Sequence, residues 1–448
     1  MKNFTKFAYV MIAVLAVSCQ RDSVAEQHDI SNNNEAQELS YAISEEEALA
    51  RLDEFMSAFD GTETRAQRRA VKSITKVSSA DVCDKTRASS EEDIENLFYI
   101  VEFENGEGSA VLGADRRLEP VYAVFDETVI TTEDFRNAAN GENSNDISTF
   151  TAGVISQSAQ NSRLVIDFPG FIDPPSSDWM DDIYQTSVTR YIEPMLNTKW
   201  NQTGYYNNQF RDKPRNAVYN DDQQRAGCTT IALGQILNYL SIPDTIRLNG
   251  HSYRWEIINQ ARRNNQINDE IKDTVAYFIF DLAEELRANY HSDGSTTAGH
   301  NDVKRVLRKL QFNGITDADL IESEIYPMLC NNKPVWAEGY NSLGGHAWVI
   351  DGWKTITSSL TRITYNGNNV EISREIIYST TTHYVHCNMG WSGTCDGYYT
   401  MNVFDVSTTL PDDRIESEYG DISGTNGDYA YTDRFNIVTY DLNNTGSF

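Results

Sequence analysis

The sequence predicts an α+β fold, with a small domain followed by a larger one. Ser44 and Glu47 form a capping box, and apolar residues then recur at helical spacing from Ala48 to Phe59. Two runs rich in β-forming residues follow and flank Asn105-Gly106, a dipeptide typical of hairpins. Mixed helix and strand patterns continue after residue 185, which indicates a second and larger domain.

Composition excludes several classes of protein. The chain has 448 residues, long enough for two or three domains with real cores, and 37 basic against 66 acidic residues give a net charge of −29. Such a charge disfavours binding to nucleic acid or to anionic lipid. The six cysteines form no CxxC pair, which argues against a structural zinc site, and we expect no metal and no cofactor. Only Cys387 and Cys395 are close enough in sequence to suggest a disulfide.

The N-terminus has the layout of an export signal. Lys2 and Lys6 precede an apolar run, from Phe7 to Val17, that is too short to span a bilayer comfortably. Residues 1–18 are therefore predicted to be a signal peptide. Cys19 follows Ser18 as in a lipoprotein cleavage box, so we predict lipidation of Cys19, with a plain secretory signal as the alternative. We expect an exported protein, either secreted or held in a bacterial cell envelope by that lipid anchor alone.

Composition changes along the chain predict the domain boundaries. Residues 19–40 are polar and aperiodic and are interpreted as a tether. Residues 41–165 form the first domain, which includes a further predicted strand at Val121–Phe125 and a basic stretch, residues 64–76, interpreted as a solvated loop. The proline-rich residues 166–184 form a linker, and residues 185–448 form the second domain.

Cys228 stands at the start of the clearest helix pattern in the chain. Apolar residues at i, i+3, i+4 and i+7 predict a helix that starts near Cys228 and ends before Pro243. The first turn of a helix stabilises a thiolate, the form that a nucleophilic cysteine needs. Gly227 leaves room for close approach of a substrate backbone. A buried structural cysteine is the alternative interpretation of this segment alone.

Histidine and amide side chains further along the chain complete a possible catalytic set. His346 lies in a predicted strand behind Gly345, which leaves space in front of the imidazole. Asn388 follows, and the order Cys, His, Asn is one in which the amide orients the imidazole. The amide of Gln202, upstream of the cysteine, is placed to donate to an oxyanion.

Together these segments resemble the streptopain-like cysteine peptidases, a bacterial papain-like family designated C10. The resemblance covers residues 190–405, and the hairpin of the first domain is more loosely similar to the family's inhibitory propeptide. The motifs that carry it are WNQTGYYN, AGCTTIALGQILNYL, YHSDGSTTAG, GGHAWVIDGW and HCNMGWSGTCDGYY.

The resemblance implies a papain-like cysteine peptidase domain preceded by a small α+β propeptide domain. It implies an endopeptidase made as a zymogen, with protein or peptide substrates, a hydrophobic preference near the scissile bond and its own propeptide as inhibitor. We expect the activating cleavage between about residues 160 and 190. The implied roles are Cys228 as nucleophile, His346 as base and acid, Gln202 as oxyanion donor, Asn388 as imidazole orienter, and Trp391, Gly227 and Gly345 at the substrate cleft.

Two positions depart from the family pattern, and two other functions stay open. Met389 replaces the usual Trp and Ser392 the usual Gly, so activity or specificity is expected to differ. A thioester is also open to attack by amines, so a thiol acyl-transferase or amidase is one alternative. A catalytically weak exported binding protein is the other. Asp351 is interpreted as a turn residue, and His383 and His386 as structural.

Overall fold

The computed structural model describes most of the chain between residues 42 and 442. The signal peptide, the tether, Cys19, Phe59 and the greater part of the predicted linker lie outside the described residues. The described ranges are 42–57, 69–78, 81, 96–140, 147–162, 179–211, 224–242, 244–263, 268–292, 294–341, 344–404 and 434–442.

Both helices and strands are abundant, which confirms the α+β class. The helices of the described ranges are α1 Glu45–Ser57, α2 Thr132–Asn140, α3 Ile147–Ser162, α4 Cys228–Leu240, α5 Trp255–Arg263, α6 Asp269–Leu286, α7 His300–Lys309 and α8 Glu322–Cys330. The strands are β1 Val71–Ser78, β2 Asn96–Phe103, β3 Ser109–Gly113, β4 Val121–Phe125, β5 Trp179–Ile192, β6 Thr245–Leu248, β7 His251–Arg254, β8 Asn289–Tyr290, β9 Thr296–Thr297, β10 Asn313–Asp319, β11 Val335–Asn341, β12 Gly344–Tyr365, β13 Glu371–Asn388, β14 Gly397–Thr400 and β15 Arg434–Asp441.

The predicted elements of the first domain are confirmed. The Ser44 hydroxyl accepts a hydrogen bond from the Glu47 backbone N–H at 3.1 Å, as the capping box requires. Strands β2 and β3 pair across the Asn105-Gly106 turn, in which both residues have positive φ. The basic stretch was predicted wrongly, because its last six residues belong to β1, which pairs with β2. That strand is largely exposed, so sequence polarity did not distinguish it from a loop.

One large antiparallel sheet runs through both predicted domains. Within the described residues it contains eleven strands in the order β1-β2-β3-β4-β14-β13-β12-β11-β15-β10, and β5 pairs with the distal half of β12. Strand β5 begins at Trp179, so the last residues assigned to the linker are in a strand instead. The other boundaries stay predictions.

The junction between the two regions is the pairing of β4 with β14. Gly397 lies opposite Phe125, and Tyr399 lies opposite Ala123. A Cβ atom on Gly397 would stand 2.2 Å from the Val124 carbonyl oxygen, and the φ of Gly397 is 154°. Only glycine therefore permits β4 to approach this closely.

Helix α1 covers one face of the junction. Its Leu52 and Phe55 pack with the face of β2–β4 and with aromatic residues of β13 and β14; the ring centroids of Phe55 and Tyr384 are 4.9 Å apart. Lys354 of β12 donates to the Phe55 carbonyl at the end of this helix. Burial lowers the pKa of Lys354 to about 6.

A chain of charged groups crosses the same junction, with Asp351 and His386 buried and Asp126 partly exposed. Asp351 lies inside β12 and is fully buried, so its interpretation as a turn residue was wrong. Its carboxylate accepts from His386 Nδ1 at 2.6 Å and from the Leu196 N–H at 2.8 Å. His386 Nε2 donates to Asp126 at 3.2 Å, and Arg69 pairs with Asp126 at 3.1 Å. The structural role predicted for His386 is therefore confirmed.

The charge state of His386 follows from these partners. Burial acts to lower its pKa, but the negative charges of Asp351 and Asp126 outweigh burial and raise the pKa to about 10. Burial acts to raise the pKa of Asp126, yet His386 and Arg69 hold it below its ordinary value. Both ring nitrogens of His386 thus donate, as in an imidazolium.

We expect Asp351→Asn to lower the free energy of unfolding by about 3–5 kcal/mol, because it leaves a buried cation without its main partner. Because the pKa of His386 is raised in the folded protein, the stabilisation by the Asp351–His386 pair is complete at pH values below the ordinary histidine pKa. This stabilisation disappears as the pH rises through about 10, where His386 loses its charge. Urea titrations over that pH range measure both effects.

Asp441→Asn is the matched control for this experiment. Asp441 pairs with Lys333, but its side chain is 66% exposed, so its replacement is expected to change stability by less than about 1 kcal/mol. Equal losses in the two variants would contradict a stabilising role for the buried pair.

Candidate active site

Helix α4 places Cys228 at its first residue, as the sequence predicts. Its apolar residues are buried and pack on β12, whereas the Cys228 side chain stays partly exposed. Gly227 precedes the helix with a φ of 89°, and a Cβ there would stand 3.0 Å from the Thr296 side chain. The space that the missing Cβ of Gly227 provides is thus taken by the Thr296 side chain, and not by a substrate backbone as the sequence suggests.

His346 lies near the start of β12 and is buried. Its Nε2 donates to the Met389 carbonyl oxygen at 3.1 Å. A carbonyl can only accept, so Nε2 carries the proton and Nδ1 keeps a free lone pair. The ring stacks on Trp391 with centroids 3.9 Å apart and planes inclined by 18°. Trp391 therefore packs on the imidazole, but it is not among the described residues that line the cavity beside Cys228, and its part in the substrate cleft stays a prediction.

The side chain of Asn388 has other partners than His346. Its Oδ1 accepts from Gln235 Nε2 at 2.8 Å and from the Gly390 N–H at 3.1 Å, and its Nδ2 donates to the Thr198 carbonyl at 2.8 Å. Both lone pairs of Oδ1 are therefore occupied. The prediction that Asn388 contacts the imidazole is wrong for this structure. Asn388 instead fixes the backbone that presents the Met389 carbonyl.

The loop that carries Trp391 is anchored from both regions of the chain. The Met389 N–H donates to Asp396 at 2.7 Å, and the Ser392 N–H donates to the Trp200 carbonyl at 3.0 Å. The Cys395 N–H donates to the Thr128 hydroxyl at 2.7 Å, so the segment after β4 also supports this loop. Ser392 has a φ of 59°, a conformation that glycine adopts without strain.

Cys228 and His346 line one cavity of about 270 Å³. Gly345 also lines it, and a Cβ on Gly345 would collide with the Tyr340 ring at 2.6 Å. The space that Gly345 leaves open is thus partly filled by Tyr340. The remaining lining residues described are Thr229, Asn289, Thr296, Thr297, Ala298, Gly299, Asp302, Glu338 and Ala347.

Gln202 lies beside the segment that leads into α4. Its carbonyl accepts from the Ala226 N–H at 2.9 Å, two residues before the cysteine. It is not among the described residues that line the cavity. Its part as an oxyanion donor stays a prediction.

The reacting groups are held in their neutral forms. Burial raises the pKa of the Cys228 thiol, although the backbone N–H groups of Ala347 and Thr229 oppose the rise. Burial lowers the pKa of His346 to about 3, and the hydrogen bond to Met389 counteracts only part of this. Both shifts favour a thiol and a neutral imidazole over a thiolate and an imidazolium.

Sequence reasoning missed a polar cluster on the cavity wall. Glu338 is 2% exposed and accepts hydrogen bonds from His300 and Tyr340. One signal was available: Glu338 is an acidic residue inside the otherwise apolar strand VWAEGY.

The described residues contain neither a metal-binding cluster nor a membrane-spanning helix. No group of three or more His, Cys, Asp or Glu side chains in those ranges is arranged to hold a metal ion. No helix within the described ranges is long and apolar enough to cross a membrane. No disulfide joins Cys387 and Cys395.

We expect iodoacetamide to alkylate Cys228 of the full chain slowly at pH 7, and faster only above pH 9, the ordinary pKa of a thiol, because burial raises the pKa of Cys228. Peptide mass spectrometry gives the rate at each pH, and exposed Cys330 is the internal reference. His346→Ala is expected to keep this profile, since His346 is neutral. Rapid alkylation near pH 5 that disappears in His346→Ala would reveal an ion pair instead.

The chain is similar to several characterised proteins. A model of the peptidase C10 family matches residues 200–399. Two streptopains of Streptococcus pyogenes are 22% and 21% identical to the chain over 305 residues, which is 60% of this chain and 67% of each streptopain. A solved mutant fragment of prointerpain A from Prevotella intermedia is 16% identical, with 82% of this chain and 98% of the fragment covered and a TM-score of 0.47.

The matched region contains Cys228, His346 and the loop with Trp391, the same segments on which the sequence resemblance was recognised. The resemblance is therefore confirmed as a similarity: residues 200–399 match the peptidase C10 family model, and the chain is similar to the streptopains at low identity.

Proposed function

We propose that the chain is a cysteine endopeptidase that forms a thioester with the acyl part of its substrate. One observation carries the proposal: Cys228, at the start of a helix, shares a cavity with His346, whose free Nδ1 lone pair is available as a base. The match to the peptidase C10 family supports the same reaction class.

The reaction proceeds in two halves. His346 Nδ1 takes the thiol proton as Cys228 Sγ attacks the peptide carbonyl, and the resulting imidazolium protonates the departing amine. Water then attacks the thioester with His346 again as base, and the carboxylic acid product leaves with the thiol restored. The Met389 carbonyl holds the Nε2 proton throughout, and Trp391 limits tilting of the ring.

The oxyanion needs donors that face the attacked carbonyl. The first backbone N–H groups of α4 supply one side, and the Gln202 side-chain amide supplies the other. The support for Gln202 is the hydrogen bond from the Ala226 N–H to its backbone carbonyl, two residues before Cys228. Loss of one such donor lowers the rate by about 10²- to 10³-fold in enzymes of this type.

The test compares casein cleavage and labelling by an irreversible thiol-directed peptidase inhibitor in four proteins. After limited proteolysis, wild type is expected to cleave and to label, whereas Cys228→Ala and His346→Ala treated in the same way lose cleavage. Cys330→Ala removes an exposed cysteine away from the cavity and keeps wild-type activity. Product analysis with an added amine separates hydrolysis from acyl transfer. Undiminished cleavage by Cys228→Ala would falsify the proposal.

The first domain is proposed to make the chain a zymogen, activated by cleavage between about residues 160 and 190. Residues 163–178 of that interval lie outside the described residues. The proposal draws support from the contacts of Asp126 and Thr128 with the Trp391 loop. Within residues 42–162, none of the described positions lines the cavity. The first domain therefore contacts the loop that holds His346, and its described residues do not fill the cavity.

Cleavage alone is expected to leave the first domain bound. The β4–β14 pairing, the packing of α1 and the Asp126–His386 contact all survive a cut in the linker. Size-exclusion chromatography after limited proteolysis should give one peak that resolves into two bands on a denaturing gel. Immediate separation into two peaks would contradict this expectation.

Export and lipidation of Cys19 complete the proposal. Their support is the basic and apolar N-terminal pattern, which ends at Ser18-Cys19. Incorporation of labelled palmitate into the wild type and not into Cys19→Ala is the expected result, and equal labelling of both proteins contradicts it.

A further inference from the structure

The cavity beside Cys228 has a second wall whose chemistry the proposed reaction does not use. Strand β11 pairs with β12 so that Glu338 lies opposite Ala347 and Tyr340 opposite Gly345. The backbone N–H of Ala347 forms a hydrogen bond with the Cys228 thiol. Because Glu338 lies opposite Ala347 on the neighbouring strand, it is one strand away from this sulfur. A cavity of about 270 Å³ at this place is of a size for a single substrate side chain.

Glu338 is a buried carboxylate that hydrogen bonds hold in position. Its side chain is 2% exposed, and it accepts from His300 Nδ1, from the Tyr340 hydroxyl at 2.7 Å, and at 3.3 Å from both the His300 N–H and Asn436. Burial of a carboxylate is costly unless it is paired and hydrogen-bonded. These four contacts occupy two lone pairs on each carboxylate oxygen, so Glu338 acts on the cavity through its negative charge and through the Tyr340 hydroxyl that it holds.

The wall as a whole offers acceptors and negative charge. Glu338 and Asp302 both line the cavity, and no lysine or arginine is among its described lining residues. Asp302 is paired with Arg305, which lies outside the lining. The Tyr340 hydroxyl donates its proton to Glu338, so the lone pairs of its oxygen remain to accept from a ligand.

The Tyr340 ring adds a face for a cation. It lies against the Gly345 backbone, where any larger residue would displace it. An ammonium or guanidinium group over a tyrosine ring gains from the ring quadrupole, more so when water is excluded. An apolar side chain at this place would remove water from the acceptors and return no hydrogen bond.

We propose that this cavity is a specificity pocket for a lysine or arginine side chain of the substrate, recognised by Glu338, Tyr340 and Asp302. The inference rests on the proposed peptidase function and specifies its substrates. It departs from the hydrophobic preference that the family resemblance implies. Glu338 is a specificity residue here, and the acyl transfer chemistry stays with Cys228 and His346.

Two substrate pairs isolate the charge from the shape of the side chain. Lysine is compared with norleucine, and arginine with citrulline, at each of the two residues before the scissile bond of a fluorogenic peptide. At one of these positions kcat/KM for the charged member is expected to be about tenfold higher, as for a buried charge-assisted contact. Glu338→Gln keeps the shape and should remove most of this ratio.

Glu256→Gln is the matched control, since Glu256 is an exposed carboxylate on α5. It is expected to keep the wild-type ratio. Equal or higher kcat/KM for norleucine than for lysine at both positions, or an unchanged ratio in Glu338→Gln, overturns the inference.

A binding measurement separates this inference from the proposed function. Fluorescence anisotropy with the full-length Cys228→Ala protein needs no turnover, and the lysine peptide is expected to bind about tenfold more tightly than the norleucine peptide. Selective binding without cleavage by the wild type would contradict the peptidase proposal alone. Cleavage without selectivity would contradict the pocket alone.

Discussion

The pairing of β4 with β14 makes one sheet out of two regions that the sequence assigns to separate domains. The backbone hydrogen bonds of this junction require β4 and β14 to lie close together. At position 397 only glycine permits this distance, because a Cβ atom would collide with the Val124 carbonyl of β4. The buried charges follow from the same junction. His386 sits between Asp351 on its own side and Asp126 on the other, so its positive charge is compensated only while both regions are together. Separation of the regions would therefore expose apolar surface and break a charge pair at once.

This junction also determines how the imidazole is held. The segment after β4 supports the loop from Met389 to Asp396, and that loop supplies both the carbonyl that binds His346 and the ring that stacks on it. The carbonyl belongs to the backbone, so the methionine side chain at position 389 does not alter the contact. The departure from the family pattern at this position leaves the orientation of His346 intact. Ser392 adopts a positive φ, and its hydroxyl accepts a hydrogen bond from Asn201 Nδ2 at 3.0 Å.

Local patterns in the sequence predicted the local elements well. The capping box at Ser44, the Asn105-Gly106 hairpin and the helix that begins at Cys228 depend on neighbouring residues, and all three are present. Contacts between distant segments were not predictable in the same way. The sequence predicts a turn at Asp351 because its partner His386 is 35 positions away and only the fold brings the two together. Asn388 was assigned to His346 because chain order does not reveal that Gln235 already occupies its amide oxygen.

Three buried carboxylates in the described residues pair with histidine, and their surroundings differ in a way that bears on function. Asp351 and Asp281 are enclosed by protein groups: His386 and the Leu196 N–H for the first, and His251, Tyr253 and Asn249 for the second. Both join elements that would otherwise separate, which accounts for their burial. Glu338 alone of the three lines the cavity that contains Cys228 and His346. Glu338 also joins elements, because it accepts from His300 at the start of α7 and from Asn436 of β15. It differs from the other two carboxylates in its place at the cavity, where its charge also faces a bound substrate group.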